Sequence, residues 1–358
     1  MNTCLLKVST RRFCFHFIFT TLFLLVLVFG FNVIINPYGM YRTKWLKPIV
    51  WSDRREKLEL LENYPERVKL LVLGSSRTMR LDPEVFQSLT GLESFNLSVN
   101  HARTEDFLAL LRYAVSKAGQ RPLVVVVGLD VNAFRGYYQM DNLLKYYPEL
   151  FYFLKNREKM RLNDDLAVGW NKFIKGMSYH QFLQSFRAFR RYLTQGPWEN
   201  AYRFSPNGFL TYNRAEDKAA VGDSLRLRKI LDQRIKQLEV EFIGFGGLSS
   251  ERKHYFEEII GFCQGNEIEL VAMLLPDHPQ IVKAVAGTNF ERLNMTCKSY
   301  MIGLAERYGI KIVDASSLES FAGDPNAFYD DIHMMPSNSE LLVRHIIKVA
   351  NLGGKDSF

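Results

Sequence analysis

Two short polar segments, far apart in the chain, contain the residue types of a nucleophile and its base. Gly74–Arg77 (Gly-Ser-Ser-Arg) follows an apolar run, and Phe328–His333 carries Asp330 three residues before His333. A serine on a tight strand-to-helix turn is exposed, and its backbone N–H near a helix N-terminus can stabilise an oxyanion. A histidine can remove the serine proton, and a nearby carboxylate can fix the histidine tautomer. Ser76, His333 and Asp330 are therefore candidates for a catalytic triad.

Other polar residues follow the apolar runs and are candidates for the same site. Ligands of an open parallel sheet bind beyond the C-terminal ends of its strands. The polar residues at those ends, besides Ser76 itself, are Ser75, Arg77, Asn100, His101, Asp130, Asn132, Asp277 and His278. Among them, Ser75, Arg77, Asn100, His101 and Asp130 are the candidates for the oxyanion site or substrate pocket.

Several of these candidates also have an ordinary structural interpretation. Ser76 could cap the helix that follows it. Asp331 could orient the base instead of Asp330. His278 could be the base, or it could cap a helix that begins at Pro279.

Two pocket candidates leave similar alternatives open. Arg77 could bind an anionic substrate or pair with Asp130. His101 could line the site or pack in the interior.

The elements that must position these residues follow from hydrophobic patterning. Short continuous apolar runs are typical of strands that are covered on both faces, as in a parallel sheet. The predicted strands are 68–73, 94–99, 122–129, 268–275 and 311–313, and the helical patterns are 82–90, 104–118, 250–264, 288–308 and 338–350. This alternation predicts an α/β fold with a doubly wound parallel sheet of about five strands.

A long insertion, 133–247, separates the third and fourth predicted strands. It lacks strand-like runs, and helical periodicity at 141–158, 179–194 and 222–240 predicts a helical insertion. A turn is expected at 205–208. The aromatic and basic residues of the insertion are compatible with a glycan platform, a membrane-facing surface or a helix-packing core.

The N-terminal region contains one long apolar segment. Residues 13–35 include no Asp, Glu, Lys or Arg, and about 20 helical residues cross the hydrocarbon core of a bilayer. A cleaved signal peptide has a shorter apolar stretch and a small-residue cleavage site. We therefore predict an uncleaved anchor between an arm, 1–12, and a connector, 36–66, followed by a globular domain, 67–350, and a tail, 351–358.

Charge gives an orientation and a class of partner. Lys7, Arg11 and Arg12 precede the span without a nearby acid, which favours a cytoplasmic N-terminus. Arg42, Lys44 and Lys47 follow the span and oppose this bias, but the short N-terminal arm and the large C-terminal domain favour export of the domain. The expected location is the cytoplasmic (inner) membrane, with an extracytoplasmic C-terminal domain. The net charge of +8 suits anionic lipid headgroups or glycans. Nucleic acid is not expected, because no groove-reading motif accompanies this charge.

The cysteines carry little functional signal. Cys4 and Cys14 lie before or in the anchor, and Cys263 and Cys297 lie in the domain. Neither domain cysteine has the spacing of a metal site. Two unpaired buried thiols are expected, with a disulfide between them as the alternative.

The serine and histidine segments resemble the SGNH (GDSL-like) hydrolase superfamily. In that family the first sequence block carries Gly-Asp-Ser and the last carries Asp-x-x-His. The alignment of these blocks places Ser75 at the family's aspartate, Ser76 at its nucleophile, His333 at its base and Asp330 at its orienting acid. The resemblance implies a flavodoxin-like sheet and does not extend to the insertion.

Two middle blocks depart from the family pattern. The second block lacks the glycine whose N–H helps to form the oxyanion hole, and His101 is closest to its place. The third block reads Gly-Leu-Asp-Val, with Asp130 where the family has an asparagine donor. An ionised Asp130 would repel an oxyanion, so it must be neutral, turned away, or paired with Arg77 or His101.

Membrane-anchored relatives with a Gly-Ser-Ser block include the D-alanyl transfer protein of teichoic-acid synthesis and, more distantly, the alginate O-acetylation proteins. The resemblance to them implies acyl transfer or removal, through an acyl-serine, on an anionic or acylated cell-envelope glycan. It also implies a membrane-bound acyltransferase as a partner, and neither a metal nor an organic cofactor. The alternative is a non-catalytic SGNH-shaped protein that binds a polymer or such an acyltransferase.

Overall fold

The computed structural model describes residues 10–41, 43, 45–46, 53–136, 144, 147–155, 162–196, 202–212, 224–243 and 246–353. The chain divides into two compact units. The anchor unit combines Met1–Ser52 with Arg161–Glu199, and the sheet unit combines Asp53–Met160 with Asn200–Phe358.

The sheet unit contains a five-stranded parallel sheet and a separate two-stranded antiparallel sheet. The strands are β1 (Leu70–Leu73), β2 (Ser94–Asn96), β3 (Val124–Leu129), β4 (Tyr202–Phe204), β5 (Leu210–Tyr212), β6 (Glu269–Leu274) and β7 (Lys311–Asp314). The parallel sheet has the order β2-β1-β3-β6-β7. This order, 2-1-3-4-5 for its own strands, is that of flavodoxin-like doubly wound sheets. The predicted α/β class and the five predicted strands are confirmed.

Helices cover both faces of the parallel sheet. In chain order the described α-helices are α1 (Thr10–Ile35), α2 (Asp53–Glu62), α3 (Pro83–Thr90), α4 (Thr104–Ser116), α5 (Pro148–Lys155), α6 (Leu162–Gly176), α7 (Tyr179–Gln195), α8 (Ser224–Glu241), α9 (Ser250–Gly265), α10 (Pro279–Ala284), α11 (Asn289–Tyr308) and α12 (Pro336–Ala350). Leu71 and Val125 belong to the core shared with α4 and α9, whereas Leu70 and Val124 belong to the core shared with α3 and α12. Successive side chains of each strand are therefore all buried, which explains the continuous apolar runs.

The predicted connector, 36–66, is not a single connector. Its second half forms α2 and belongs to the sheet unit, where Arg54 and Lys57 are completely buried. Arg54 lies 2.8 Å from Asp106 of α4. The polar composition of α2 therefore reflects buried ion pairs rather than an exposed linker.

The predicted insertion, 133–247, is neither wholly helical nor one body. Its helices α6 and α7 belong to the anchor unit, and β4 and β5 form an antiparallel hairpin around the expected turn at 205–208. Each hairpin strand has three residues, which is too short to give a recognisable apolar run.

The hairpin is attached to the edge strand β2. The Asn96 N–H donates to the Asn207 carbonyl at 2.9 Å. Lys57 donates to the Asn96 carbonyl at 2.6 Å and also to the Gly208 carbonyl. The hairpin turn thereby covers part of an edge that would otherwise be open.

In the anchor unit, Arg12–Ile35 of α1 is long and apolar enough to cross a membrane, a property that signal sequences near an N-terminus share. The last turns of α1 pack against α6 and α7. The completely buried Asn32 donates to the Gly176 carbonyl at 2.8 Å and accepts from the Ser185 hydroxyl at 2.7 Å. Most of the predicted arm and tail lie outside the described residues.

The two domain cysteines lie in the same hydrophobic core. Cys263 of α9 and Cys297 of α11 are both buried and both free. Burial raises the pKa of each thiol to about 12. The expectation of two unpaired thiols agrees with this arrangement, and Cys4 lies outside the described residues.

Candidate active site

The serine segment is a tight turn at the C-terminal end of β1. Its backbone folds back because the Thr78 N–H donates to the Ser75 carbonyl at 3.1 Å, and the Thr78 hydroxyl bonds to the same carbonyl at 2.9 Å. A Cβ at Gly74 or at Gly128 of β3 would overlap the Thr78 side chain. The two glycines thus make room for Thr78, which holds the turn that presents Ser76.

The histidine segment is a closed loop immediately before α12. Phe328 and Met334 form an antiparallel bridge, and the Tyr329 N–H donates to the His333 carbonyl at 2.8 Å. Within the loop, one oxygen of Asp330 accepts from the backbone N–H groups of Ile332 and His333 at 2.9 and 2.8 Å. The backbone of the loop therefore orients the Asp330 carboxylate independently of its contact with the imidazole.

Ser76, His333 and Asp330 form one continuous chain of contacts. The Ser76 Oγ lies 2.8 Å from His333 Nε2, and His333 Nδ1 lies 2.7 Å from the second oxygen of Asp330. These distances allow a proton to pass from the serine to the imidazole while the carboxylate holds the Nδ1 proton. The arrangement can activate a serine for nucleophilic attack.

The environment of Asp330 favours its charged form. Burial opposes the charge, but the hydrogen bond from His333 and the two backbone N–H donors outweigh burial and hold the pKa of this carboxyl below its usual range. An ionised carboxylate at this position stabilises an imidazolium on His333.

Asp331 and His278, the alternative acid and base, have other partners. Asp331 lies 2.9 Å from Arg234 Nε of α8. His278 accepts from the Gln280 N–H at 3.1 Å through Nδ1, and its Nε2 lies 2.9 Å from the Pro325 carbonyl oxygen. His278 is thus the N-cap of α10, and neither alternative contacts the serine in this arrangement.

Asp130 is paired with Arg77 at the end of β3. Arg77 lies 2.9 Å from Asp130 and 3.1 Å from Asp277, and it also donates to the Pro276 carbonyl at 2.6 Å. Burial raises the pKa of Asp277 in spite of the nearby guanidinium. Because Arg77 balances the negative charge of Asp130, the repulsion of an oxyanion by this carboxylate is reduced.

His101 occupies the position where the resemblance places a glycine. Its φ of 53° lies in the left-handed region, which costs a residue with a Cβ about 1–2 kcal/mol. The His101 side chain is exposed and lines the same cavity as Ser76. The backbone therefore keeps a glycine-like conformation although the residue is histidine.

A cavity of about 680 Å³ extends from the serine. Its walls are made by Ser75, Ser76, Arg77, Asn100, His101, Ala102, Arg103, Asp130, Asn132, Arg135, Arg234, Glu241, Asp331, Ile332 and His333. All five pocket candidates from the sequence line it, together with the triad serine and histidine. Its volume lies within the usual range of small-molecule binding sites.

Several residues that shape this site are not among the candidates predicted from the sequence. Arg80, in the serine turn, places its guanidinium carbon 4.8 Å from the ring centre of Tyr329 in the histidine loop and 4.7 Å from that of Tyr212 in β5. Arg234 and Glu241 reach the cavity from α8, where they lie 2.7 Å apart. The two residues are seven positions apart, a spacing that puts them on one side of a helix, but nothing in the sequence places that helix at the cavity.

Comparison with known proteins gives no family assignment: no family model matches the chain, and no curated protein matches it.

Proposed function

We propose that the chain is a membrane-anchored serine esterase or O-acyltransferase of the SGNH type. The observation that supports it is the hydrogen-bonded chain from Ser76 through His333 to Asp330. The three residues come from two loops next to the carboxyl end of the parallel sheet, where ligands of such sheets bind.

In the proposed mechanism, His333 Nε2 removes the Ser76 proton as Oγ attacks the carbonyl of an acyl ester or thioester. The tetrahedral intermediate collapses to an acyl-serine, and the leaving alcohol or thiol takes the proton from His333. A sugar hydroxyl or water then attacks the acyl-serine, His333 accepts its proton, and the collapse of the second intermediate returns that proton to Ser76. Asp330 holds the imidazole throughout.

The glycine and the asparagine that serve as oxyanion donors in the SGNH pattern are absent, so other groups would be needed in their place. The Ser76 backbone N–H is the first candidate, because it follows the strand end directly. The second is the side-chain amide of Asn132, which lines the cavity and has no hydrogen-bond partner among the residues described. We propose these two groups as the oxyanion donors, with Asp130 kept neutralised by Arg77.

We further propose that α1 holds the sheet unit at the extracytoplasmic face of the cytoplasmic membrane. The basic residues before the apolar segment 13–35, which are Lys7, Arg11 and Arg12, support this orientation. There the substrate would be an acylated or anionic cell-envelope or exported glycan, and a membrane-bound acyltransferase would be a natural donor or partner.

The test is covalent labelling of the full chain in detergent with a fluorophosphonate probe, read by intact mass. We expect one adduct on the wild type and on Ser75→Ala, and none on Ser76→Ala or His333→Ala. Ser75→Ala is a matched control, because it removes the neighbouring hydroxyl of the same turn. Labelling that persists in a folded Ser76→Ala variant would refute the nucleophile.

A second candidate function is a non-catalytic assembly protein that binds a glycan or an acyltransferase. The observation that favours it is Asp130, a carboxylate where SGNH enzymes have an amide donor. It predicts that the folded wild type neither reacts with the fluorophosphonate probe nor hydrolyses p-nitrophenyl acetate. It also predicts that the Ser76→Ala variant binds the glycan or acyltransferase with the same affinity as the wild type.

A further inference from the structure

We propose that α6 and α7 form an interfacial membrane hairpin, whose exposed apolar stripes enter the headgroup–acyl boundary of the bilayer and whose arginines bind anionic headgroups. This inference rests on the proposed span of α1 and not on the chemistry of Ser76. The residues that support it all belong to the anchor unit.

The position of the hairpin along α1 places it at the bilayer surface. About 20 helical residues cross the hydrocarbon core, so a span that starts after Arg12 ends close to Asn32. Asn32 is the residue that binds Gly176 of α6 and Ser185 of α7. Residues 12–27 of α1 are exposed, which suits lipid contact. The contacts of α1 with α6 and α7 thus lie within about one helical turn of the estimated end of the hydrocarbon core.

Helix α6 carries an exposed apolar stripe. Leu166, Trp170 and Ile174 are spaced by four residues and are 69%, 62% and 51% exposed. Phe173 joins them, with its ring 5.5 Å from that of Trp170 and 5.1 Å from that of Phe29 in α1. The stripe is therefore continuous with the apolar surface of the span.

Helix α7 carries a second stripe of the same kind. Tyr179, Phe186 and Leu193 are 73%, 53% and 66% exposed. At 3.6 residues per turn, their spacing of seven residues keeps them within about 40° of one another. The buried residues of α7, Gln181 and Ser185 among them, lie on another side, so the stripe faces away from the packed interior of the unit.

Arginines lie beside the stripe of α7, and an exposed tryptophan lies on the other side of the same helix. Arg187, Arg190 and Arg191 are exposed on α7 and, by helical geometry, lie within about 120° of Tyr179 on one side of the stripe. Trp45 is 57% exposed and contacts Phe189 and Tyr192. An amphipathic helix with arginine beside aromatic and aliphatic residues is typical of the membrane interface, where tryptophan and tyrosine are enriched.

A bilayer is the occupant that accounts for all of these features. The stripes are continuous with the surface that α1 offers to lipid, and arginine side chains can reach lipid phosphates while their stems lie along apolar surface. A protein partner could bind a single stripe, and it would not require the stripes to lie near the end of the membrane span.

The test uses the full chain with Trp45, Trp51 and Trp198 changed to Phe, so that Trp170 is the remaining tryptophan. It is reconstituted into phosphatidylcholine–phosphatidylglycerol vesicles that contain lipids brominated near the glycerol or deep in the chains. We expect Trp170 to be quenched more by the shallow bromines than by the deep ones. A reference chain with Trp170→Phe and Phe23→Trp places the reporter within α1 and should be quenched most by deep bromines.

The two reporters separate the possible failures. Deep quenching at position 23 without quenching of Trp170 would overturn the interfacial hairpin and leave the span intact, as expected if this face served a protein partner. Absence of quenching at both positions would overturn the span and the inference together.

The arginines are tested by brominating one lipid class at a time. We expect phosphatidylglycerol to quench Trp170 about two- to fivefold more effectively than phosphatidylcholine at equal mole fraction, and R187Q/R190Q/R191Q to abolish that preference. The control R226Q/R228Q/K229Q removes three exposed charges of α8 and should retain it. Equal quenching by both lipids in the chain that retains all three arginines of α7 would overturn the headgroup contact.

Discussion

Asp330 and Asp331 are adjacent in the chain but bind different partners. Asp330 accepts two backbone N–H groups and contacts His333, whereas Asp331 contacts Arg234 of α8. The closed histidine loop produces this difference, because consecutive side chains leave its backbone in different directions. At the residue scale, the proposed chemistry depends on one of two identical side chains.

We expect Asp330→Asn to reduce the hydrolysis of p-nitrophenyl acetate by about 10³-fold or more, because an amide no longer fixes the required tautomer or stabilises the imidazolium. Asp331→Asn is the matched control. It loses the contact with Arg234 but keeps the contact between Asp330 and His333, so its turnover should fall by less than about tenfold. Equal losses in both variants, measured as kcat/KM, would contradict the assignment of Asp330.

The lowered pKa of Asp330 also predicts a pH dependence of stability. A carboxyl whose pKa is lower in the folded than in the unfolded chain stabilises the fold above the unfolded-state value of about 3.9. That contribution is lost as the pH falls through the lower folded-state value. Urea unfolding of the wild type and Asp330→Asn should therefore show a stability difference that shrinks as the pH falls below about 4. A difference that grew on acidification would contradict the direction of the shift.

At the scale of elements, the β4–β5 hairpin links α2, the edge of the sheet and the histidine loop. Its turn is bound to Asn96 and Lys57, and Tyr212 of β5 packs against Tyr329 with ring centres 5.1 Å apart. The hairpin therefore supports the loop that carries Asp330 and His333.

Gly208 is the position at which this support should be most sensitive. Its φ is +80°, and a Cβ there would overlap the Asn96 carbonyl oxygen. Gly208→Ala should lower the free energy of unfolding by about 2–3 kcal/mol, through left-handed strain and displacement of the turn. Gly303→Ala is the control, because a Cβ there meets open space within α11, and it should stabilise the fold by about 0.5–1 kcal/mol. If urea unfolding gave the same change in the free energy of unfolding for both variants, the turn at Gly208 would not be tightly packed.

The sequence predicted the parallel sheet well, because its strands are buried on both faces and read as continuous apolar runs. It did not predict β4 and β5, which have three residues each. Helix α6 was also missed, although Leu166, Trp170 and Ile174 follow a helical spacing that could have identified it.

The residues of the candidate site likewise include some that the sequence predicts and some that it does not. Ser76, His333 and Asp330 carry a signal because their residue types and their places at element ends can be read from the chain. Arg80 and Arg234 carry none, since an isolated arginine is usually a solvated surface residue. Their contacts with Tyr329 and Asp331 depend on long-range packing, which local patterns do not encode.

At the scale of the whole molecule, the sheet unit is made from two stretches of chain that share one core. Cys263 and Cys297 lie in that core together with residues of α2, β1, α4 and β3. Segments so far apart in sequence can be buried together only if the core forms as a unit, so its opening should be cooperative.

The two thiols provide a direct measure of that cooperativity. In a Cys4→Ser/Cys14→Ser chain, we expect a maleimide to react with neither remaining cysteine in the folded state, because both are buried and their pKa values are raised to about 12. Reaction should be at least about 10³-fold slower than in the unfolded chain. As urea is increased, intact mass should show species with no label or two labels, with a common midpoint. Accumulation of a singly labelled species would instead mean that α9 or α11 opens locally before the rest of the core.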